Sequence, residues 1–360
     1  ATCMLCWQRV GLAFLLASNL LAPSSATEEG IAGAFAEKLV CTQHGIYVAY
    51  VLLSLFSDAT AGTEAGEWAS VFFHRLWSVG TFPQCYSGIK AVEVEGMGAF
   101  LASLALSKSE GLLPLGLPNL SQRLCSSRQL LALLWHSVAG LVEEPTSGAT
   151  TSTGAATQLA KQLMGSSTFV ALLCKELMLE LAQLDMECNL GWRSAWQGAC
   201  GNELACQTLG LDDFDWLEGG LPQVVADEGR VAGNGDPSPL LYELVQAGIA
   251  LTTNMGSSAT ALPPMFVATC LLGVISFMQS LHKVRFGDMV SSAAKQKPSA
   301  EAQEASKRCC LVELVRLSGN ILYDSPHAQD FLRSTGGLGI LLSHCYADPE
   351  LPLLREAGVF

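Results

Sequence analysis

Basic residues are scarce in this chain: 20 Lys and Arg stand against 33 Asp and Glu, a net charge of −13. Nucleic-acid binding draws on clustered Lys and Arg to displace counterions, so this balance argues against a nucleic-acid partner. It favours basic or neutral partners. Charge of either sign is thin, at 15% of residues, while 50% are apolar, which excludes a wholly disordered chain. Alternating β-branched runs bounded by turns are hard to find, so strands are not expected. Catalytic motifs are missing too. There is no Gly-x-Ser-x-Gly elbow, no His-Glu-x-x-His pair and no phosphate-cradling Gly-x-x-x-x-Gly-Lys-Ser/Thr. No catalytic residue, cofactor or metal ligand is expected, and the chain reads as a non-enzyme.

What is plentiful is cysteine: thirteen, an odd number, scattered from Cys3 to Cys345 without a framework spacing. In a chain this long they read as reduced, buried thiols in a reducing compartment. Cys3-x-x-Cys6 has no second pair to complete a zinc site. His344 and Cys345 are neighbours on a helix and point about 100° apart, so they do not face one substrate. The acidic stretch from Leu211 to Glu218 interleaves Phe214 and Trp216 with its carboxylates, which breaks the ligand spacing of a calcium loop.

Two apolar segments bear on the membrane question. Val10 to Ala22 follows Arg9 and precedes Pro23-Ser24-Ser25-Ala26, the anatomy of a signal peptide, or else of a core helix ended by Pro23. Met265 to Leu281 lies at the short end of the spanning range and is diluted by Thr269, Ser276 and Gln279, which suits a buried helix better. The rival to a soluble reading is therefore a secretory or membrane-anchored helical protein using residues 10–22 as signal or anchor.

Helical periodicity dominates the rest. Helices are predicted over Glu67 to Val79, broken by Gly80 and Pro83, over Gln129 to Glu143 with Leu130, Leu134 and Val138 in step, and over Thr168 to Leu184. Another runs from about Glu304 to Tyr323, with Cys310, Leu314, Leu317 and Ile321 on one buried face. Ser325 then offers an N-cap with Pro326 at the first helical position. Gly336 and Gly337 are expected to end that short helix, and Leu338 to Tyr346 to form the next. Gly96 to Leu101 repeats the pattern of Gly337 to Leu342 about six repeat lengths of forty earlier. A weaker echo lies at Leu241 to Leu251. Glu144 to Thr157 and Asp212 to Ser238 read as flexible insertions, and Ser291 to Ser306 as a polar link.

The C-terminal stretch from Lys307 to Glu356 carries Leu314-Val315-Arg316-Leu317-Ser318-Gly319-Asn320-Ile321-Leu322-Tyr323, then Gln329-Asp330-Phe331-Leu332-Arg333, then Gly336-Gly337-Leu338-Gly339-Ile340-Leu341-Leu342-Ser343-His344-Cys345. In this order they resemble the C-terminal domain of the ataxin-10 family, which is built from armadillo-type helical repeats. The resemblance implies an all-α fold, an armadillo-like right-handed α-solenoid with loop insertions. Residues 1–290 would be divergent repeats with insertions near 144–157 and 212–238, residues 291–306 a linker, and residues 307–360 the ataxin-10-like domain. That domain reads as truncated, because Ala357 stands at the family's Trp position and the last long helix is missing. Such a loss would leave an apolar face uncovered.

The function implied is a cytoplasmic protein–protein interaction scaffold with links to cell division (cytokinesis) and signalling. Protein partners are expected, nucleic acid and membrane are not, and self-association stays open. Arg316, Asn320 and Tyr323 fall on successive turns of one helix, with Arg333 on the next, and are the candidate partner contacts. Asn320 either clamps a partner's backbone or satisfies a local helix-end hydrogen bond.

Overall fold

The computed structural model describes residues 34–40, 64–95, 127–142, 153–188, 238–255, 262–288 and 312–343, with isolated positions at 16–17, 19, 194–195, 197–198 and 310. Every regular element among the described residues is a helix, so the fold is all-α. The helices are α1 (Glu64–Ser78), α2 (Phe82–Glu95), α3 (Ser127–Val142), α4 (Thr153–Gly165), α5 (Ser167–Cys188), α6 (Pro239–Met255), α7 (Pro264–Asp288), α8 (312–322), α9 (Pro326–Ser334) and α10 (Gly337–Ser343). Cys3 and Cys6, most of Val10 to Ala22, Gly96 to Leu101, the acidic stretch from Leu211, the link from Ser291 to Ser306 and Ala357 lie outside the described residues. The chain divides into two compact units, Ala1–Phe169 and Val170–Phe360.

In the first unit, α1 turns Ala69, Phe72, Phe73, Leu76 and Trp77 inward at steps of three and one, the stripe of a one-sided helix. Gly80 ends it in the left-handed region at φ +79, and the Thr81 hydroxyl donates to the Leu76 carbonyl at 2.7 Å. Pro83 then sits in the first turn of α2, where its missing N–H costs nothing. The core beneath is aromatic. Phe82 lies 4.7 Å from Trp135 and 5.3 Å from Phe169 between ring centroids, and Trp77 closes on Phe82 at 5.0 Å. The Trp77 indole donates to the Ser137 hydroxyl at 3.2 Å, joining α1 to α3.

The predicted loop over Glu144 to Thr157 is shorter at its end than expected, because α4 opens at Thr153. The Ser, Thr and Gly content suggested a coil. Ala155 and Ala156 favour helix, however, and Ala156 begins a buried row with Leu159, Ala160 and Leu163. α4 lies along α1: His74 hydrogen-bonds to the backbone of Ala155, and the Gln162 amide donates to the Ser78 carbonyl. Both pairs ascend together, so the two helices run in the same direction.

The second unit is mainly aliphatic, with Phe266 and Phe331 as buried rings. α7 is buried along Met265 to Ser276, which fits the expectation of a core helix over that segment. Among the described residues no helix is long and apolar enough to cross a membrane. Gly273 lets α7 approach α5, where a β-carbon would stand 3.1 Å from Leu181 Cδ1. Gly337 does the same for α10: a β-carbon there would meet Ile275 Cδ1 and Leu332 Cδ1 at 2.5 Å.

This corrects the reading of the Gly336-Gly337 pair as a joint helix stop. Gly336 alone takes the left-handed turn, at φ +73, while Gly337 is the first residue of α10 and a contact point. Ser325 occupies the N-cap position of α9 with Pro326 following, but its side chain makes no capping bond. The described part of α10 leaves Leu338 and Leu342 exposed, one turn apart.

Candidate interaction face

The buried side of α8 is the one its spacing predicted: Cys310, Leu314, Leu317 and Ile321 are all inaccessible. Leu317 packs onto Gly248 of α6, where an added β-carbon would stand 3.1 Å from Leu317 Cδ2. The ridge that flanks this face carries Glu313, Arg316, Asn320 and Tyr323 over roughly 15 Å of helix. Arg316 is exposed and forms an ion pair with Glu313 at 2.9 Å. Tyr323 is 66% exposed, just past the end of α8. Asp324 follows at φ 51, a left-handed position that Asp tolerates better than most residues, and the chain reverses into α9. The Gln329 side chain donates to the Leu322 carbonyl at 2.9 Å and so closes the last turn of α8.

Asn320 is tied to a neighbouring helix rather than to its own. Its Nδ2 donates to Thr252 Oγ1 at 3.1 Å and to Thr253 Oγ1 at 2.9 Å, both on α6. Thr252 is buried and itself donates to the Gly248 carbonyl at 2.8 Å. The amide therefore fixes the register of α8 against α6. Gly248 pairs with Leu317, and Thr252 with Asn320, so the contacts ascend together and the two helices run side by side in one direction.

Arg333 stands apart from this group. It is exposed in the last turn of α9, pairs with Asp330 on its own helix, and its charge suits the carbonyl end of that helix. The ridge thus gathers Arg316, Asn320 and Tyr323, while no bond among the described residues links Arg333 to them.

Sequence reasoning missed Thr252, Thr253 and Gly248. The signal was the echo at Leu241 to Leu251. Leu241-Tyr242-Glu243-Leu244-Val245 matches Leu311-Val312-Glu313-Leu314-Val315 at all but one position, and the helices that carry the two copies are the ones that lie together.

Chemically the face is quiet. No group of three or more His, Cys, Asp or Glu side chains that could hold a metal ion occurs among the described residues. Cys85, Cys174, Cys270 and Cys310 are buried thiols outside any disulfide. Burial pushes the Cys174 thiol up to about 12 and raises Cys270 well above its ordinary value, so neither is a ready nucleophile at neutral pH.

No family model and no solved structure matches the chain. An ataxin-10 homolog of Dictyostelium discoideum is 35% identical over 74 residues, which is 21% of this chain and 12% of that protein. The chain therefore matches only about an eighth of that relative's length, and a distant, partial likeness to one ataxin-10 homolog is what the comparison establishes.

Proposed function

We propose that the chain is a non-catalytic protein–protein interaction scaffold of the ataxin-10 type, an armadillo-like right-handed α-solenoid with loop insertions that acts in the cytoplasm. The observation that carries this reading is the parallel pair of α6 and α8. A solenoid lays each repeat's helix beside the equivalent helix of the next repeat, in the same direction and with a recurring sequence. The α6–α8 pair, with its repeated five-residue pattern, supports this reading, and so does the parallel pair of α1 and α4 within the first unit.

On such a surface the ridge of α8 would meet a protein segment. Arg316 and Tyr323 belong to the residue types that dominate interface energetics, and both are exposed. Asn320 positions the ridge rather than contacting the partner. The excess of negative charge on the chain favours a basic segment. A place in cell division or signalling rests on the C-terminal resemblance alone.

The test is affinity capture of the tagged chain beside an Arg316→Ala, Tyr323→Ala double variant, with Asn320 left in place so that the α6–α8 register survives. A partner held in near-equal amount by the parent and lost by the variant, with unchanged helicity and melting, supports the reading. Equal capture by both removes the ridge from the interface.

A further inference from the structure

Among the described tyrosines, Tyr86 is buried and Tyr242, 41% exposed, stands in the first turn of α6. Tyr323 is 66% exposed and lies in the turn between α8 and α9. Its backbone still follows the helix, because its N–H donates to the Gly319 carbonyl at 3.0 Å. Arg316 comes seven residues earlier, about 10.5 Å along the axis and only about 20° around it. A helical side chain leans over the turn before it, which favours a Tyr323 ring that leans toward Arg316. Gly319 stands between the two and adds no side chain, while the Asn320 amide is turned to Thr252 and Thr253. Arg316 meanwhile holds Glu313 through one nitrogen, Nη1, at 2.9 and 3.3 Å.

We propose that Tyr323 is a phosphorylation site for a protein tyrosine kinase, and that its phosphate draws Arg316 away from Glu313. In the transfer, Tyr323 Oη attacks the γ-phosphorus of ATP. The Oη–P bond forms, the bond from phosphorus to the bridging oxygen breaks, the phenol proton passes to the kinase's base, and ADP leaves. The product carries roughly −1.5 to −2 charge on three acceptor oxygens, against the single charge of Glu313. A guanidinium can fork onto two phosphate oxygens at once, which its one-nitrogen hold on Glu313 does not do.

The surroundings give the phosphate a need for this partner. It would sit at the carbonyl end of α8, where the dipole adds about half a negative charge. Asp324 follows directly. Arg316 is the cation on the same ridge that can offset both, since Arg333 is engaged with Asp330 on α9. Arg316 and Tyr323 are already exposed, so the exchange requires no burial of charge. It would take both exposed contacts of the ridge away from a partner at once. That consequence rests on the proposed interaction face, whereas the site and the exchange are read without a partner.

The experiment treats the full chain and an Arg316→Ala variant with a broad-specificity recombinant tyrosine kinase and ATP. Mass spectrometry maps the phosphate, and phosphorus NMR titrates it. Tyr323 is expected to take phosphate well before Tyr242, and Tyr86 not at all. The Arg316 charge should hold the second pKa of the phosphate, ordinarily about 6, at least half a unit lower in the parent than in Arg316→Ala. No phosphate at Tyr323 in the folded chain would overturn the site. The same second pKa in both proteins would overturn the exchange. Neither result alters the capture comparison with the Arg316→Ala, Tyr323→Ala variant, so failure here and failure of the interaction face are told apart.

Discussion

The two units solve the same packing problem with different materials. In the first, helices meet across rings: Trp77, Phe82, Tyr86, Trp135 and Phe169 fill the space between them. In the second, helices meet across notches, with Gly248, Gly273 and Gly337 admitting Leu317, Leu181 and Ile275. Rings supply buried area in bulk, and several arrangements can satisfy them. A glycine notch admits one neighbour at one register, and the Asn320 clasp adds a directional lock to it. In the second unit α6 and α8 are therefore held together by a notch and a clasp, where the first unit joins α1 to α3 through rings and the Trp77–Ser137 bond.

The sharpest way to break this contrast is to empty each kind of contact. Trp135→Ala removes the ring shared by Phe82, Tyr86 and Phe169 and should cost about 3–5 kcal/mol, read by denaturant unfolding of the first unit. Gly337→Ala does the opposite, adding one carbon where Ile275 and Leu332 already stand. Overpacking there should cost about 1–3 kcal/mol, lessened in an Ile275→Val background that vacates the space. If Gly337→Ala is neutral on its own, the notch does not set the register.

Smaller effects sharpen the comparison. Asn320→Ala should cost about 1 kcal/mol and raise amide exchange on α6 as well as α8, because the bond lies between them. His74 offers a pH test confined to the first unit. Burial lowers its pKa below the ordinary 6.5; the bond to Ala155 opposes this, and the Arg75 charge adds to it. Above pH 6.5 the imidazole is neutral in both states and the stability is whole. As the pH falls below 6.5 the unfolded chain takes up the proton more readily, so the first unit should lose stability, and His74→Gln should flatten that slope. Arg316→Ala, which removes only an exposed ion pair, should shift stability by under about 0.5 kcal/mol in urea unfolding.

How much of this was legible in the sequence follows from the range of each interaction. The stripe of α8 and the existence of α1, α3 and α5, with starts one to three residues off, were readable because helical period is a local property. The left-handed Gly336 was readable for the same reason. Gly337 was not: whether a glycine ends a helix or admits a neighbour depends here on Ile275, far away in the chain. Asn320 was expected to clamp a partner or to close a local hydrogen bond; its bonds to Thr252 and Thr253 were not legible, because they belong to a helix that only a faint repeat connected to it. Thr153 to Thr157 failed on composition, since a Ser/Thr/Gly/Ala run looks like coil until Ala156 and Leu159 find a core to enter.

The most direct test of the parallel α6–α8 pair is a double-mutant cycle on Asn320→Ala and Thr253→Ala, read as unfolding free energy, with Tyr242→Ala at the far end of α6 as the control. A coupling of about 0.5–1 kcal/mol for Asn320 with Thr253, and additivity for Asn320 with Tyr242, is the predicted result. Additivity for both pairs, or coupling only to Tyr242, would contradict the register and with it the face that α6 and α8 build together.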